Sequence, residues 1–274
     1  MKIGFIQGRL SPIIDGKIQA FPWDFWEDEF ALACKIKLNI MEWTLDQGKL
    51  NFNPLMNCEG QNKIKTLCNN YNIKIPSLTG DCFMQFPFFK FSGKQKSSLL
   101  SDLKNIIKSC FKLDISLIVF PLVDNSSIKN SNQKSILISE LIKLEGFLEQ
   151  HNVKIIFESD LNPNNLRKFI NNFPSKNFGI NYDIGNSASL GFDYRDELNS
   201  YGDRILNVHV KDRLLNGETV PLGLGNANIP GVIKALQKIN YNGNYILQTA
   251  RSKNENHVGI LSKYRDQLKE AFLN

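Results

Sequence analysis

The sequence predicts a single (β/α)8 barrel, and three observations support that fold. Short β-rich apolar runs occur eight times, segments with helical spacing of apolar residues lie between them, and 274 residues is close to the ~250 that such a barrel needs. Because a helix-length crossover joins each run to the next, the strands must be parallel. The alternative, a doubly wound sheet, usually has a glycine-rich phosphate turn after its first strand, and "IQGRLSP" lacks that spacing.

The predicted strands are short runs bounded by Asn, Gly, Asp or Pro. In chain order they are KIGFI (2–6), LNIMEW (38–43), IKIPSL (73–78), ISLIVF (115–120), VKIIFE (153–158), FGINYD (178–183), ILNVHV (205–210) and NYILQ (244–248). Helical spacing is clearest at 96–113 and 133–150, whereas 80–94 and 213–230 are expected to be loops over one face. No linker or low-complexity segment interrupts the chain, so we expect one domain over 1–274.

Composition and charge exclude several classes of protein. The net charge of +6 comes from scattered lysines, which gives no concentrated basic surface, so nucleic acid is not an expected partner. No apolar run approaches the ~18 residues of a membrane span, so no membrane partner is expected either. Five cysteines without a CxxC pair indicate a reduced, intracellular protein. We therefore expect a soluble, cytoplasmic protein that acts on a small molecule.

Functional residues in such barrels lie at the carboxyl ends of the strands. The last four predicted strands end in Glu158, Asp183, His209 and Gln248. Carboxylates with an imidazole suit a divalent ion such as Mn²⁺, Mg²⁺, Co²⁺, Fe²⁺ or Zn²⁺, and the lack of cysteine favours an open catalytic site over a closed structural zinc site. Taken alone, each of these residues is explained equally well as a helix cap or as a polar group paired within the protein. Their equivalent positions at the strand ends predict a metal site.

Other polar positions near the strand ends are candidates for substrate binding. The early strands and their loops offer Gln7, Arg9 and Glu42, beside Thr79 and Asp81, and the later ones offer Asn186, Arg213 and Arg251. The Asn186 amide suits hydroxyl groups. Lys211 and Arg213 are suited to bind an anionic intermediate, a phosphate or a carboxylate. The alternative is that they are ordinary surface charges. A loop with Gly223 and Gly225 is weaker evidence of a phosphate cradle.

Several short motifs are informative as an ordered set. They are MKIGFIQGRLSP (1–12), EW (42–43), FESD (157–160), YDIGN (182–186), HVKDR (209–213), VPLGLGN (220–226) and YILQTAR (245–251). Over nearly the whole chain, they resemble the xylose isomerase-like TIM barrels, the family that includes tagatose 3-epimerase, inosose dehydratase and endonuclease IV. In its sugar epimerases, Glu, Asp, His and a second Glu hold a divalent ion, and the two glutamates move protons on opposite faces of the substrate. The resemblance implies Glu158, Asp183 and His209 as ligands and puts Gln248 at the position of the second glutamate.

Gln248 changes the mechanism that the resemblance implies, because an amide can ligate an ion but cannot take up and return a proton at neutral pH. We expect a divalent-metal-dependent isomerase or epimerase of a sugar or sugar phosphate, working through an enediolate with Glu158 as base and Gln248 and Lys211 as further catalytic residues. Either Glu158 acts as the single base, or a second acid or base comes from Glu42, Asp160 or Lys211. The alternatives are a metal-dependent sugar dehydratase, which is a lyase, and an inactive sugar-binding barrel.

Two further possibilities concern partners. A nuclease acting at abasic DNA is the rival within the family, but three histidines are too few for the multi-zinc cluster that it needs. The aromatic segments 21–30 and 82–91 are candidates for the active-site mouth or for a homo-oligomer interface, with ordinary packing on the barrel as the alternative.

Overall fold

The computed structural model describes residues 1–273 and contains a closed barrel of eight parallel strands. The strands are β1 Lys2–Ile6, β2 Ile40–Thr44, β3 Lys74–Thr79, β4 Leu117–Leu122, β5 Lys154–Ser159, β6 Phe178–Asp183, β7 Ile205–Val210 and β8 Asn244–Leu247. They follow chain order around the barrel, and β8 pairs with β1 to close it. Each predicted strand is present with its ends within about two residues of the prediction, so the predicted fold is confirmed.

Helices follow the strands and cover the outside of the barrel. The α-helices are α1 Asp28–Lys35, α2 Cys58–Tyr71, α3 Asp81–Gln85, α4 Gly93–Lys112, α5 Ser131–Ile142, α6 Glu145–Gln150, α7 Pro163–Ile170, α8 Ile184–Ser189, α9 Tyr194–Tyr201, α10 Ile229–Lys238 and α11 His257–Leu273. Short 3-10 helices lie at Leu50–Phe52, Pro54–Met56, Phe88–Lys90, Asp124–Ser126 and Gly202–Arg204, and a small antiparallel hairpin pairs Asp212–Arg213 with Thr219–Val220. Over residues 1–273, none of the helices is long and apolar enough to cross a membrane.

One predicted helix is divided in two. A turn at 143–144 separates α5 from α6, whereas the sequence predicts one helix over 133–150. The buried leucines continue across the turn as Leu141, Leu144 and Leu148. Because that spacing also fits an unbroken helix, the apolar pattern did not reveal the turn.

The aromatic segments mostly pack inside the protein. Their buried rings are Phe21, Trp26, Phe30, Phe83, Phe88 and Phe89, and their exposed ones are Phe25 and Phe86. The segment 80–94, predicted as a loop, contains α3 and the short helix at 88–90 and reaches the start of α4. Ordinary packing on the barrel therefore accounts for most of these rings.

The barrel has two packing layers, one between the strands and the surrounding helices and one inside the barrel. They differ because successive residues of a strand point to opposite faces. Outward-facing rings pack between strands and helices, where Phe157 of β5 stacks with Phe178 of β6 at 6.2 Å between ring centroids. The next residue, Glu158, points into the barrel instead. Inside, Ile6, Ile40 and Ile246 form a small apolar cluster of their own. Above it, the barrel interior is polar, and this polar layer carries the candidate site.

Candidate active site

A cavity of about 420 Å³ lies at the carboxyl ends of the strands. Its polar and charged lining includes Arg9, Lys17, Gln19, Thr79, Asp81, Gln85, Asp124, Glu158, Asn186, Lys211, Thr219 and Gln248. This volume falls within the roughly 300–1,000 Å³ typical of small-molecule sites. A groove of about 600 Å³ beside the start of β3 is larger, but its lining has a single carboxyl, Asp114, and no histidine. The chemistry therefore favours the smaller cavity.

Glu158, Asp183 and His209 come together at this end of the barrel, and Glu158 of the three lines the cavity. All three are buried, and one potential ligand atom from each lies within 4.8 Å of the others. His209 Nδ1 is 3.1 Å from Glu158 Oε2 and 3.8 Å from Asp183 Oδ2. A cation with bonds of ~2.1 Å joins ligand atoms up to about 4.2 Å apart, so both spacings suit one ion. Among residues 1–273 this is the one group of three or more such side chains.

Three buried atoms of these strand ends make no aligned hydrogen bond to any of residues 1–273, although the Lys211 ammonium lies beside one of them. They are Asp183 Oδ2, His209 Nδ1 and Gln248 Oε1. Leaving a buried polar atom unpaired costs about 1–3 kcal/mol, so such atoms are rare and call for an explanation. Each of the three can offer a lone pair, and oxygen and imidazole donors together suit a divalent ion. The residues present therefore fit the group that the resemblance implies.

Glu42 of β2 holds His209 from across the barrel. His209 Nε2 lies 2.6 Å from Glu42 Oε1, and both side chains are fully buried. Since a carboxylate accepts, Nε2 must donate, which leaves Nδ1 directed at Glu158 and Asp183. Burial opposes a charge on His209, but Glu42, Asp183 and Glu158 together raise the pKa of His209 well above its ordinary value. A metal ion at Nδ1 would replace the second proton.

The structure gives Glu42 a role different from the predicted substrate contact or second acid. Its carboxylate accepts hydrogen bonds from Ser77 Oγ at 2.7 Å, from Asn207 Nδ2 at 2.9 Å, and from Thr79 Oγ1 and His209. Burial would raise its pKa, but His209 and the two hydroxyls hold the pKa below its ordinary value. Glu42 does not line the cavity, because its oxygens are occupied inside the barrel. It is a buried anion that orients His209.

Two asparagines extend this network to Glu158. Asn207 Nδ2 also donates to Asn181 Oδ1 at 2.8 Å, and Asn181 Nδ2 donates to Glu158 Oε2 at 2.9 Å. Asn186 Nδ2 donates to the other oxygen, Oε1, at 2.7 Å. Two amides therefore fix the orientation of the Glu158 carboxylate.

The sequence reasoning missed both buried asparagines, although the strand pattern contains a signal for them. Asn181 lies two residues before Asp183, and Asn207 lies two residues before His209. Because side chains two apart in a strand share a face, both asparagines had to point inward with the predicted ligands.

Beyond the strand ends, Asn186, Lys211 and Arg213 take distinct positions. The Asn186 backbone N–H donates to Asp183 Oδ1 at 2.9 Å, so the Asp183 carboxylate caps the N-terminus of α8. Lys211 lines the cavity, and its Nζ forms an ion pair with Asp183 Oδ2 at 2.8 Å without hydrogen-bond alignment. Despite burial, Lys211 and His209 lower the pKa of Asp183 to about 2. Arg213 lies behind this layer and donates to Asn186 Oδ1 at 2.8 Å and to the Gly217 carbonyl at 2.7 Å.

Arg9, predicted to bind substrate, lines the cavity but is strongly engaged with the protein. Its Nε donates to the Thr249 carbonyl at 2.9 Å, and its NH1 donates at 2.7 Å to the Ile18 carbonyl and to Gln19 Oε1. Burial and the neighbouring Arg251 lower the pKa of Arg9 to about 9. The guanidinium therefore fixes the loop after β1 over one side of the cavity.

Gln7 and Arg251, also predicted to bind substrate, do not line the cavity. Gln7 is fully buried, and its Oε1 accepts from the Thr44 backbone N–H at 3.2 Å. Arg251 donates to the carbonyls of Gly8 and Ser11 and faces a neighbouring groove. The loop after β1 uses both side chains as internal supports.

The glycine-rich loop encloses a carboxylate of the protein itself. The backbone N–H groups of Gly223, Gly225 and Ala227 donate to Asp212 at 2.8, 2.9 and 3.0 Å. Asp212 is fully buried, and a Cβ on Gly225 would lie 2.2 Å from its Oδ1. The loop needs glycine because it wraps this side chain, and the amides suggested for a phosphate are already paired.

Asp81 is a cavity residue to which the sequence reasoning assigned no role. It is the first residue of α3, it is 8% exposed, and over residues 1–273 its carboxyl makes no side-chain hydrogen bond or ion pair. Burial, together with the charges of Asp46 and Glu158, raises its pKa to about 8. Its position two residues after Thr79, at the end of β3, was the available signal.

Comparison with known proteins found partial sequence matches. A region of 78 residues, 26% of this chain and 27% of the relative, is 33% identical to a protein of Escherichia coli K12 provisionally named an L-ribulose-5-phosphate 3-epimerase. The aligned region spans about half the length or less of the curated relatives that the chain matches.

Solved structures share the whole fold. The IolI protein with a bound zinc atom superposes with a TM-score of 0.75 at 17% identity, covering 99% of each chain. D-allulose 3-epimerase from Methylomonas sp., solved in complex with D-allulose, also has a TM-score of 0.75, at 13% identity over 99% of this chain and 97% of its own. At these identities, the likeness establishes the fold.

The family model for xylose isomerase-like TIM barrels matches residues 30–270, which is most of the chain. This match agrees with the closed barrel and with the grouped Glu158, Asp183 and His209 at its carboxyl end. The chain belongs to the xylose isomerase-like TIM barrel family.

Proposed function

We propose that the chain is a divalent-metal-dependent isomerase or epimerase that acts on a sugar or sugar phosphate. The carrying observation is the buried group of Glu158, Asp183 and His209, in which Asp183 Oδ2 and His209 Nδ1 make no aligned hydrogen bond among residues 1–273 and Glu158 lines a cavity of substrate size. The family and the sugar substrates named for similar proteins support the substrate class.

Glu158, Asp183 and His209 would hold the ion, with Gln248 as a neutral fourth ligand through Oε1. A divalent ion bound there supplies Lewis acidity, which polarises a carbonyl and offsets negative charge. Mn²⁺, Co²⁺, Mg²⁺, Fe²⁺ and Zn²⁺ all accept this mixture of oxygen and imidazole nitrogen. The zinc atom bound by the similar IolI protein supports a divalent ion without choosing among them.

Glu158 is the base in this proposal. Its carboxylate lines the cavity, and the amides of Asn181 and Asn186 fix its orientation. Removing a proton beside a carbonyl leaves an enediolate, and the Lys211 ammonium at the same cavity wall favours that negative charge electrostatically. Arg213 acts through Asn186, so it is a positioning residue.

The proposal is tested by incubating metal-loaded protein with L-ribulose 5-phosphate and with L-ribulose in deuterated water. We expect deuterium at the carbon beside the carbonyl, and a loss of about 10²–10⁴ in that incorporation for Glu158→Gln, since a positioned base contributes about this much. The control is Glu149→Gln, which removes a surface carboxylate that pairs with Lys176. If Glu158→Gln incorporates deuterium as fast as the wild type, the assignment of the base fails. Tight sugar binding without incorporation in the wild type would instead favour an inactive sugar-binding barrel.

On localisation, we propose the cytoplasm, because five cysteines without paired spacing suit a reducing compartment.

A further inference from the structure

We propose that Asp81 is the second proton-transfer group of this site and delivers a proton to the face of the substrate carbon that Glu158 does not reach. The inference rests on the proposed function. It also assigns to Asp81, which follows β3, the task that Gln248 at the end of β8 cannot perform.

The position of Asp81 in the barrel separates it from the ligand group. Glu158, Asp183, His209 and Gln248 belong to the four consecutive strands β5 to β8. Asp81 follows β3, which in the closed order lies two strands, or a quarter of the barrel, from β5 with Glu158, and four strands from β7 with His209. Asp81 and Glu158 nevertheless line the same cavity. A substrate carbon between them is therefore approached by two carboxyl groups from different directions.

Asp81 differs from the other buried carboxyls of the early strands because it has no partner. Glu42 accepts four side-chain hydrogen bonds, and Asp46 accepts from the Phe21 N–H at 2.8 Å and from Gln85 Nε2 at 2.7 Å. The Asp81 carboxyl has no such bond in the described part of the chain and is 8% exposed. A buried carboxyl without a partner favours its neutral form, which is the form that donates a proton.

The surrounding charges support the same protonation state. Burial raises the pKa of Asp81 most, and the negative charges of Asp46 and Glu158 raise it further. The positive charges of His209 and Arg9 lower it, and the resulting pKa is about 8. In the metal-free protein the acid form therefore predominates at neutral pH, and a pKa near the working pH is the favourable range for a general acid.

The other candidates for a second group do not meet both conditions, contact with the cavity and a transferable proton. Glu42 is enclosed in the barrel. Asp160 accepts a hydrogen bond from Ser127 Oγ and does not line the cavity. Lys211 lines it, but its ammonium is paired with Asp183. Asp81 alone of these combines burial, contact with the cavity and freedom from a partner.

The proton balance of an epimerisation closes with these two groups. Glu158 takes the proton from the carbon beside the carbonyl, and the electron pair of that C–H bond becomes part of the enediolate. The Asp81 carboxyl then gives its proton to the opposite face of the same carbon, which restores the carbonyl with inverted configuration. Glu158 ends with one proton more and Asp81 with one fewer, and exchange with water resets both.

The test uses the full chain with Mn²⁺ and L-ribulose 5-phosphate in deuterated water, and follows two readouts: deuterium in recovered substrate and the amount of epimer. For Asp81→Asn we expect deuterium to enter recovered substrate through Glu158, while epimer falls by about 10²-fold or more. Asp28→Asn is the control, since Asp28 also begins a helix but is exposed and lies outside the cavity. Asp81→Ser gives a second variant if the amide distorts α3.

The outcomes separate this inference from the proposed function. If the wild type neither exchanges deuterium nor forms epimer, the proposed function fails and Asp81 has no such role. If the wild type does both and Asp81→Asn still forms epimer at the wild-type rate, only the assignment of Asp81 is overturned. Loss of both readouts in a folded Asp81→Asn protein also overturns it, because a donor acting after Glu158 leaves the first step intact.

Discussion

The early and late halves of the barrel treat their polar strand ends in opposite ways. In the late half, β5 to β8, three atoms make no aligned hydrogen bond to any of residues 1–273: Asp183 Oδ2, His209 Nδ1 and Gln248 Oε1. In the early half, β1 to β4, the Glu42 carboxylate is saturated by neighbouring side chains. Residue type alone does not tell a candidate metal ligand from a residue that supports the ligands, because carboxylates occur in both halves. Glu42 differs from the ligand group because the protein itself satisfies its polar atoms. In the early half, Gln7 Nε2 has no hydrogen-bond partner among residues 1–273, and Asp81 is a cavity carboxyl without a side-chain hydrogen bond there.

The largest effect is expected where the two halves meet, at Glu42. Glu42→Gln removes the anion that pairs with His209 in the fully buried network, and breaking a buried pair costs about 3–5 kcal/mol of unfolding free energy. Affinity for Mn²⁺ should also fall by about 10–100-fold, since Glu42 orients a ligand. Urea unfolding and metal titration measure the two effects.

The matched control for Glu42 is Glu27→Gln, which breaks the exposed pair with Lys63 and should cost less than about 1 kcal/mol. Equal stability losses in the two variants would contradict the central role of Glu42 in the barrel.

The exception in the early half, Asp81, has its own signature in the pH dependence of stability. A carboxyl whose pKa is raised on folding keeps its proton longer in the folded protein, so its contribution is full below the unfolded pKa of about 3.9 and is lost as pH rises through about 8. Between pH 5 and 7, metal-free wild type should lose up to ~1.4 kcal/mol per pH unit relative to Asp81→Asn. Urea unfolding of both proteins at several pH values measures the difference. Parallel pH profiles would show that Asp81 is ionised.

A substitution at Gln248 tests how strongly metal affinity in the late half depends on the charge of the ligands. Gln248→Glu adds a carboxylate to the Glu158, Asp183 and His209 group, so we expect Mn²⁺ to bind more tightly by about tenfold or more, or ~1.4 kcal/mol. Isothermal titration calorimetry of wild type and variant measures this gain. Unchanged affinity would mean that the side chain at position 248 does not reach the ion.

The smallest effect is expected at Arg213, which supports the late half from behind. Arg213→Ala removes one hydrogen bond to Asn186, the residue that orients Glu158, so kcat should fall about fivefold, or ~1 kcal/mol, with little change in KM. Arg195→Ala, at an exposed pair with Asp193, is the control and should leave both constants unchanged. A rise in KM at constant kcat would instead indicate that Arg213 contacts the substrate.

The sequence predicted the barrel and the grouping of Glu158, Asp183 and His209 because both depend on local periodicity. Each ligand candidate ends a run of β-type residues, and strand ends of a parallel barrel converge. The roles of Glu42 and Asp81 were not accessible in this way. Glu42 is satisfied by Ser77 and by residues of β7 that lie more than a hundred positions away, and only the fold reveals which carboxyl receives such partners.

The claim that β5 to β8 form a metal site is tested most directly by elemental analysis of wild type, His209→Ala and His151→Ala after incubation with Mn²⁺ and removal of free ion. His151 is the control because it packs against Phe111 and Phe147 on the outside of the barrel. We predict about one ion per chain in wild type and His151→Ala and none in His209→Ala. An empty wild type, or a His209→Ala protein that retains the ion, would contradict the account.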